Sequence, residues 1–329
     1  MLTLMRNSGT SEVPGDYAEN GRTYGGYRSG KYLLPVDDEE QDRLDIFHNM
    51  ISIARNKALY SIPDPPAGSR IIDLGAGTGF WAIEVADKLH WAQKAPESII
   101  GLDLSLIQPG RYVFCGAQRS HGVGSPFAIS IPPTVKFVRA DVEDPWQYPE
   151  QYFDFVHVQM MLGSMRDWQQ LYNRSFRHLK PGGFIEQVEI EWVFRCDDNT
   201  LSPNSPLRQW GVVLSQAMRR FGAPIDIFDT KAALESTGFT NFSQQVINLP
   251  INPWVRPDEH EEELGRWFNL GLTHGLQAMT MAPFTRYAPE PWTANQVNQF
   301  VEVLKQELCR LSVHAYCRMY VWTAQKPIQ

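Results

Sequence analysis

The sequence predicts an α/β protein organised around a doubly wound parallel sheet. Three features carry that expectation. Short apolar runs alternate with helical stretches, a glycine-rich turn joins the first run to its helix, and acidic residues close successive runs.

The first sixteen residues lack the apolar core of a signal peptide and read as a flexible lead-in. From Tyr17 to Tyr32 the chain is dense in Gly, Arg and Tyr, as in Glu19-Asn20-Gly21-Arg22-Thr23-Tyr24-Gly25-Gly26-Tyr27-Arg28. Glycine-broken backbone bearing aromatic rings fits an ordered arm laid over other parts of the fold, or a surface loop. Asp37 or Asp38 can cap a helix whose apolar positions, Leu44, Phe47, Ile51, Ala54 and Ala58, recur every three or four residues. Pro63, Pro65 and Pro66 end it, because proline cannot continue a helix. Residues 17–66 are therefore expected to form an arm and helix covering the site, with the main domain spanning 67–329.

Arg70–Leu74 is the first strand, and it breaks into Gly75-Ala76-Gly77-Thr78-Gly79 before a helix over 80–89. Further strands are expected at Ser98–Asp103, Val135–Asp141 and Phe153–Val158. A helical stretch, Trp168–Leu179, leads through Lys180-Pro181-Gly182-Gly183 to a fifth strand, Phe184–Glu189. Gln108–Pro133, rich in Gly, Pro and Ser, reads as a loop insertion. Beyond it, helices are expected at 207–220 and 230–237, the latter stopping at Gly238. Strands at 242–249 and 315–324 enclose a helical insertion at about 255–312, with helices over 260–279 and 293–311. The second opens on Thr293-Ala294-Asn295-Gln296, a capping box, and sets Val297, Val301, Leu304, Leu308 and Leu311 along one stripe.

Composition narrows the function classes. A net charge of −7, with Arg219-Arg220 as the largest basic cluster, opposes direct nucleic-acid binding. Prolines, glycines and charges interrupt every apolar run well short of a membrane span. Cys115, Cys196, Cys309 and Cys317 form no CxxC pair, so a reducing, intracellular setting is expected, cytoplasmic or nuclear. His260-Glu261-Glu262-Glu263 lacks a second histidine at helical spacing, and no metal site is expected.

The glycine turn decides among ligands through its neighbours. Gly75, Gly77 and Gly79 alternate, which misplaces the third glycine of a dinucleotide fingerprint; Gly79-Phe80-Trp81 supplies neither the lysine nor the hydroxyl of a phosphate loop. Asp73 stands two residues before the first glycine, where a carboxylate repels pyrophosphate and favours a cation. S-adenosylmethionine carries a sulfonium and an ammonium and no phosphate. Glycine lets the backbone approach its methionine part and ribose. Asp103, closing the second strand, can accept both ribose hydroxyls. Asp141, closing the third, can take a bond from the adenine amine while Val142 offers a backbone N–H. Gln159, at the end of the fourth strand, is placed to touch cofactor or acceptor. Singly, Asp103 and Asp141 could instead cap turns.

Asp73-Leu74-Gly75-Ala76-Gly77-Thr78-Gly79 resembles the first motif of class I methyltransferases, and Leu179-Lys180-Pro181-Gly182-Gly183 resembles their turn before the fifth strand. A narrower resemblance covers nearly the whole chain after the lead-in. Glu19–Tyr24, Tyr32-Leu33-Leu34-Pro35, Gln41–His48, Glu186–Ile190, Cys196-Asp197-Asp198, Leu249–Trp254 and His314-Ala315-Tyr316 resemble the fungal LaeA-like methyltransferases. The resemblance implies a Rossmann-like, mostly parallel sheet with an antiparallel last strand, and S-adenosylmethionine as cofactor. It implies a role in fungal secondary metabolism, and for some members a velvet-domain partner in the nucleus. The chain differs in lacking a long polar leader and in carrying the 108–133 insertion, so a paralogue encoded in a biosynthetic cluster is expected. A regulatory subunit that binds the cofactor and acts through protein partners is the alternative.

The methyl acceptor is expected to be a small molecule or a protein. Tyr24 is assigned to the cofactor, and Tyr27 and Trp254 to the acceptor, with Trp267 nearby; core or lid packing is the competing role for both tryptophans. His48, His274 and His314 are candidate bases, each with a structural alternative, and His157 reads as a core histidine because it alternates with Val156 and Val158.

Overall fold

A computed structural model describes residues 15–108, 131–254 and 258–328. Most of the expected lead-in and of the 108–133 insertion, with Cys115, lies outside the described residues.

The chain opens with a small hairpin, β1 (Tyr17–Glu19) and β2 (Arg22–Tyr24), turned by Asn20 and Gly21 at φ 49° and 78°. Both turn residues take positive φ, as the tight hairpin turn requires, and Asn-Gly is its commonest solution. Helix α1 (Asp38–Ala54) follows, capped by Asp37, whose side chain accepts from the Glu40 amide. The central run is β3 (Arg70–Leu74), α2 (Phe80–Trp91), β4 (Ser98–Asp103), β5 (Val135–Arg139), β6 (Phe153–Gln159), α3 (Trp168–His178) and β7 (Leu179–Arg195). Then come α4 (Pro206–Phe221), α5 (Thr230–Thr237), β8 (Thr240–Pro250), α6 (Glu259–Tyr287), α7 (Ala294–Leu308) and β9 (Tyr316–Gln325).

Seven strands pair in the order β5-β4-β3-β6-β7-β9-β8. The first five are parallel; β9 enters antiparallel between β7 and β8. The order reverses at β3, which has β4 on one side and β6 on the other, so a crevice opens there at the strands' carboxyl ends. Ile72, Leu74, Val156, Leu171 and Phe239 fill one face of the sheet, and Ile71, Trp81, Val85, Ile99 and Phe155 the other. A third core gathers α1, α4, α6 and α7 over the distal halves of β7 and β9, around Phe47, Trp192, Trp210, Phe268 and Val301.

Two elements run longer than their periodicity predicts. β7 takes in Lys180–Gly183, read from sequence as a turn, because Gly182 at φ 81° and a register shift opposite Phe153/Phe155 absorb it within the strand. α6 passes its expected end at Met279 and continues through Pro283 to Tyr287. Residues 278–284 are buried throughout, so they carry no 3.6-residue alternation to read. Its Gly271 and Gly275 admit α1 closely: a Cβ would stand 2.9 Å from Phe47 Cε2 and 2.7 Å from Arg43 Cδ. Among the described residues no helix is long and apolar enough to cross a membrane.

Candidate functional site

The crevice at the ends of β3, β4 and β6 holds two adjoining chambers that share Tyr32, Leu44, Gly75, Gly77, Gln159 and Met160 in their walls. The first reaches Asp73 and His157, then runs beneath α1, α4 and α6 along Phe47, Ile51, Leu214, Met218 and Met279. The second is closed by Asp103, Asp141, Val142 and the arm residue Lys31. Seven of the residues singled out by sequence thus line one crevice: Asp73, Gly75, Gly77, Asp103, Asp141, Val142 and Gln159.

Each acid is held differently. Asp73, buried beside the turn, accepts from His157 Nδ1 at 2.8 Å. Asp103 accepts from the Gly77 and Ser105 amides, both at 2.8 Å. Burial pushes its carboxyl up to about 6 against the lowering pull of those amides, and the nearby Asp73 charge adds to the rise. Asp141 accepts from the Glu143 amide at 2.9 Å and pairs with Lys31 Nζ at 2.8 Å, while the same ammonium reaches Glu143 at 2.6 Å. The acid assigned to adenine is therefore shared with a lysine of the arm, a partner that the sequence reading did not include.

The far wall is the turn after β6. Met160 sits at φ 56°, and Glu189 of β7 accepts from the Met161 and Leu162 amides at 3.0 and 3.1 Å. Burial raises the Glu189 carboxyl to about 8 in spite of those bonds. The Met161 thioether lies against Gly75. In the first chamber, Arg43 is buried but neutralised, donating to both oxygens of Glu40 at 2.8 and 2.6 Å. His48 Nε2 lies 3.1 Å from Glu84. No group of three or more His, Cys, Asp or Glu stands ready for a metal among the described residues.

Four of the predicted site residues lie away from the chambers. Gly79 stands behind the turn, where a side chain would strike the Phe137 ring. Tyr24 is buried under the arm, stacked on Tyr17 with centroids 5.6 Å apart, because Arg22 fixes the hairpin to Asp37 with bonds of 2.9 and 2.7 Å. Tyr27, half-buried, has its ring flanked by Arg28 and Arg139. Trp254 stacks on His314 at 4.8 Å and donates to the Ala315 carbonyl at 3.1 Å, placing it near the start of β9. His314 itself pairs with Asp198 at 2.5 Å, His274 is exposed, and Trp267 packs against the helical core. The arm reaches the crevice instead through Lys31 and Tyr32.

The family model described as a methyltransferase domain matches residues 46–244. The chain is 41% identical over 321 residues to a protein of Cochliobolus heterostrophus named secondary metabolism regulator LAE1, covering 95% of this chain and 96% of that protein. It is 39% identical over 326 residues to a protein of Emericella nidulans named protein-methionine methyltransferase laeA, covering 98% of this chain and 79% of the relative. A regulator laeA of Aspergillus niger is 40% identical over 315 residues, or 94% of this chain and 76% of its own length.

Proposed function

The chain belongs to the methyltransferase-domain family of fungal secondary-metabolism regulators, and from that premise we propose that its crevice binds S-adenosylmethionine and delivers the methyl group to an uncharged acceptor in the first chamber. The observation that carries the cofactor reading is the graded row of carboxylates. Asp73 stands at the first chamber, Asp103 in the second, and Asp141 beside Val142 at its far end. That sequence matches an ammonium, a ribose diol and an adenine amine in order. Gly77 supports the same fit, because it lines both chambers and a Cβ there would stand in the space they share.

Bound, the cofactor supplies an electrophilic methyl group on sulfur. The protein's part is to hold it by these acids, exclude water with the apolar walls of α1, α4 and α6, and align the incoming nucleophile. Arg43 is already satisfied by Glu40, and Asp73 is taken by the cofactor in this proposal, so the apolar stretch along Phe47, Ile51, Leu214 and Met218 is left to face the acceptor. A thioether fits best: it is apolar and carries no proton for a base to remove. The name of the Emericella nidulans relative, a protein-methionine methyltransferase, supports a methionine acceptor, and so do the methionines already in the wall, Met160, Met218 and Met279. The arm (17–66) and the helices of 255–312 close over this space in the proposal. A velvet-type partner and nuclear residence belong to the same proposal, on the strength of family resemblance.

Calorimetric titration with S-adenosylmethionine and S-adenosylhomocysteine tests the cofactor reading; absence of binding by both at millimolar concentration overturns it. Incubation with isotope-labelled cofactor, followed by peptide mass spectrometry, tests the acceptor. Label on lysine or on carboxylates, with none on methionine, refutes the thioether.

A further inference from the structure

Three neighbouring strands set Asp73, His157 and Glu186 side by side, since Asp73 pairs in register with His157 and His157 with Glu186. In-register neighbours share a face of the sheet, so the three side chains form one polar row beneath the cleft. His157 Nδ1 lies 2.8 Å from Asp73 Oδ1, and its Nε2 lies 4.0 Å from Glu186 Oε1. Glu186 is held from the other side by Arg55 Nη2 at 2.9 Å and by the Ser61 amide at 2.5 Å. Trp81 covers the imidazole, with ring centroids 3.6 Å apart and planes within 3°. His157 and Glu186 are wholly buried.

A histidine that merely filled this space would be an expensive choice. Burying a polar ring costs free energy unless its nitrogens find partners, and an apolar side chain would pack under Trp81 without that cost. The row has a direction as well. Arg55 balances Glu186 deep in the core, whereas Asp73 is the carboxylate of the row that reaches the first chamber. His157 is its side-chain hydrogen-bonding neighbour among the described residues.

We propose that His157 is a positioning residue for the cofactor: its Nδ1–H grips one oxygen of Asp73, so that the other is presented to the ammonium of the cofactor's amino-acid end. A carboxylate held by a fixed, buried donor loses little rotamer freedom on binding, and that preorganisation appears as affinity. The inference rests on the cofactor reading and adds a role that core packing alone does not supply.

Side-chain geometry provides the test. Asn sets its amide nitrogen where Nδ1 stands; Gln sets its own where Nε2 stands. The full-length chain and its His157→Asn, His157→Gln and His157→Phe variants are titrated calorimetrically with S-adenosylhomocysteine and with 5′-methylthioadenosine, the same nucleoside without the amino-acid end. Thermal melts run in parallel identify any variant that fails to fold. His157→Gln and His157→Phe are expected to bind S-adenosylhomocysteine about tenfold more weakly with methylthioadenosine unchanged, and His157→Asn to stay near the parent value. Equal losses for both ligands, no loss for either, or an Asn variant as weak as the Gln variant overturns the role of His157. If the parent chain binds neither ligand, the cofactor reading itself has failed, and this inference falls with it.

Discussion

Gly77 and Gly79 make a matched pair, because both need positive φ yet only one lines the crevice. Gly77 sits at φ 55°, and a Cβ built on it meets Leu44 Cδ1 at 3.6 Å, an ordinary contact. Gly77→Ala therefore costs the fold the left-handed penalty alone, about 1–2 kcal/mol, or a few degrees of melting temperature in a domain of this size. The new methyl stands between the two chambers, however, and cofactor affinity is expected to fall at least about tenfold, equivalent to about 1.4 kcal/mol. Gly77→Val, with two further methyls, should abolish binding while still folding. Gly79 sits at φ 83°, where a Cβ drives into the Phe137 ring. Gly79→Ala thus adds an overpacking cost of about 1–3 kcal/mol to the same backbone penalty. Differential scanning calorimetry and ligand titration on the two variants separate the effects. A Gly77→Val chain that binds S-adenosylhomocysteine at full strength refutes the placement of the cofactor.

Cofactor affinity should fall as pH drops through about 6, because protonating Asp103, whose carboxyl burial raises to that value, removes an acceptor for the ribose; a flat titration between about pH 8 and pH 5 counts against it. Folding responds with the opposite sign. The folded value lies above the ordinary carboxylate value, so this group's contribution to stability is complete in acid and is lost as pH rises through about 6. Arg55→Met leaves Glu186 buried without its cation and should cost about 3–5 kcal/mol in denaturant unfolding; an unchanged midpoint would show that the pair contributes nothing. Trp254→Ala should leave methyl transfer and cofactor affinity as they are, since its stack on His314 lies away from both chambers. A large loss of turnover would return Trp254 to the acceptor site.

What could be read from sequence was whatever depends on neighbours along the chain. The strand-turn-helix at Arg70–Trp91 and the acids ending the next strands are local patterns, and the parallel register carries them to one crevice without further instruction. The hairpin at Tyr17–Tyr24 was also legible, in the Asn20-Gly21 pair, although its composition drew attention to the tyrosines instead. Tyr24 is buried by Arg22, which reaches Asp37 and, 255 residues further on, Gln277. No local pattern announces such a contact. The acceptor chamber is likewise a product of three helices distant in sequence, and Arg43 is made harmless there by a glutamate one turn earlier on its own helix. His157 was correctly read as buried, but its alternation with valines says nothing of the carboxylate on the neighbouring strand.

The place of β9 has a consequence for how the molecule is made. Chains leave the ribosome from the amino end, and here the segment that joins β7 to β8 is the final strand of the sheet, Tyr316–Gln325. Until it emerges, β8 has no strand to bond with, and the long edge of β7 stands open with its ladder half made. Completion of the sheet therefore waits for β9, which must reach back along the chain to set Gln325 opposite Phe184. A chain released early would present two unpaired edges to its neighbours, so nonsense mutations upstream of β9 should yield aggregates in place of a smaller working enzyme.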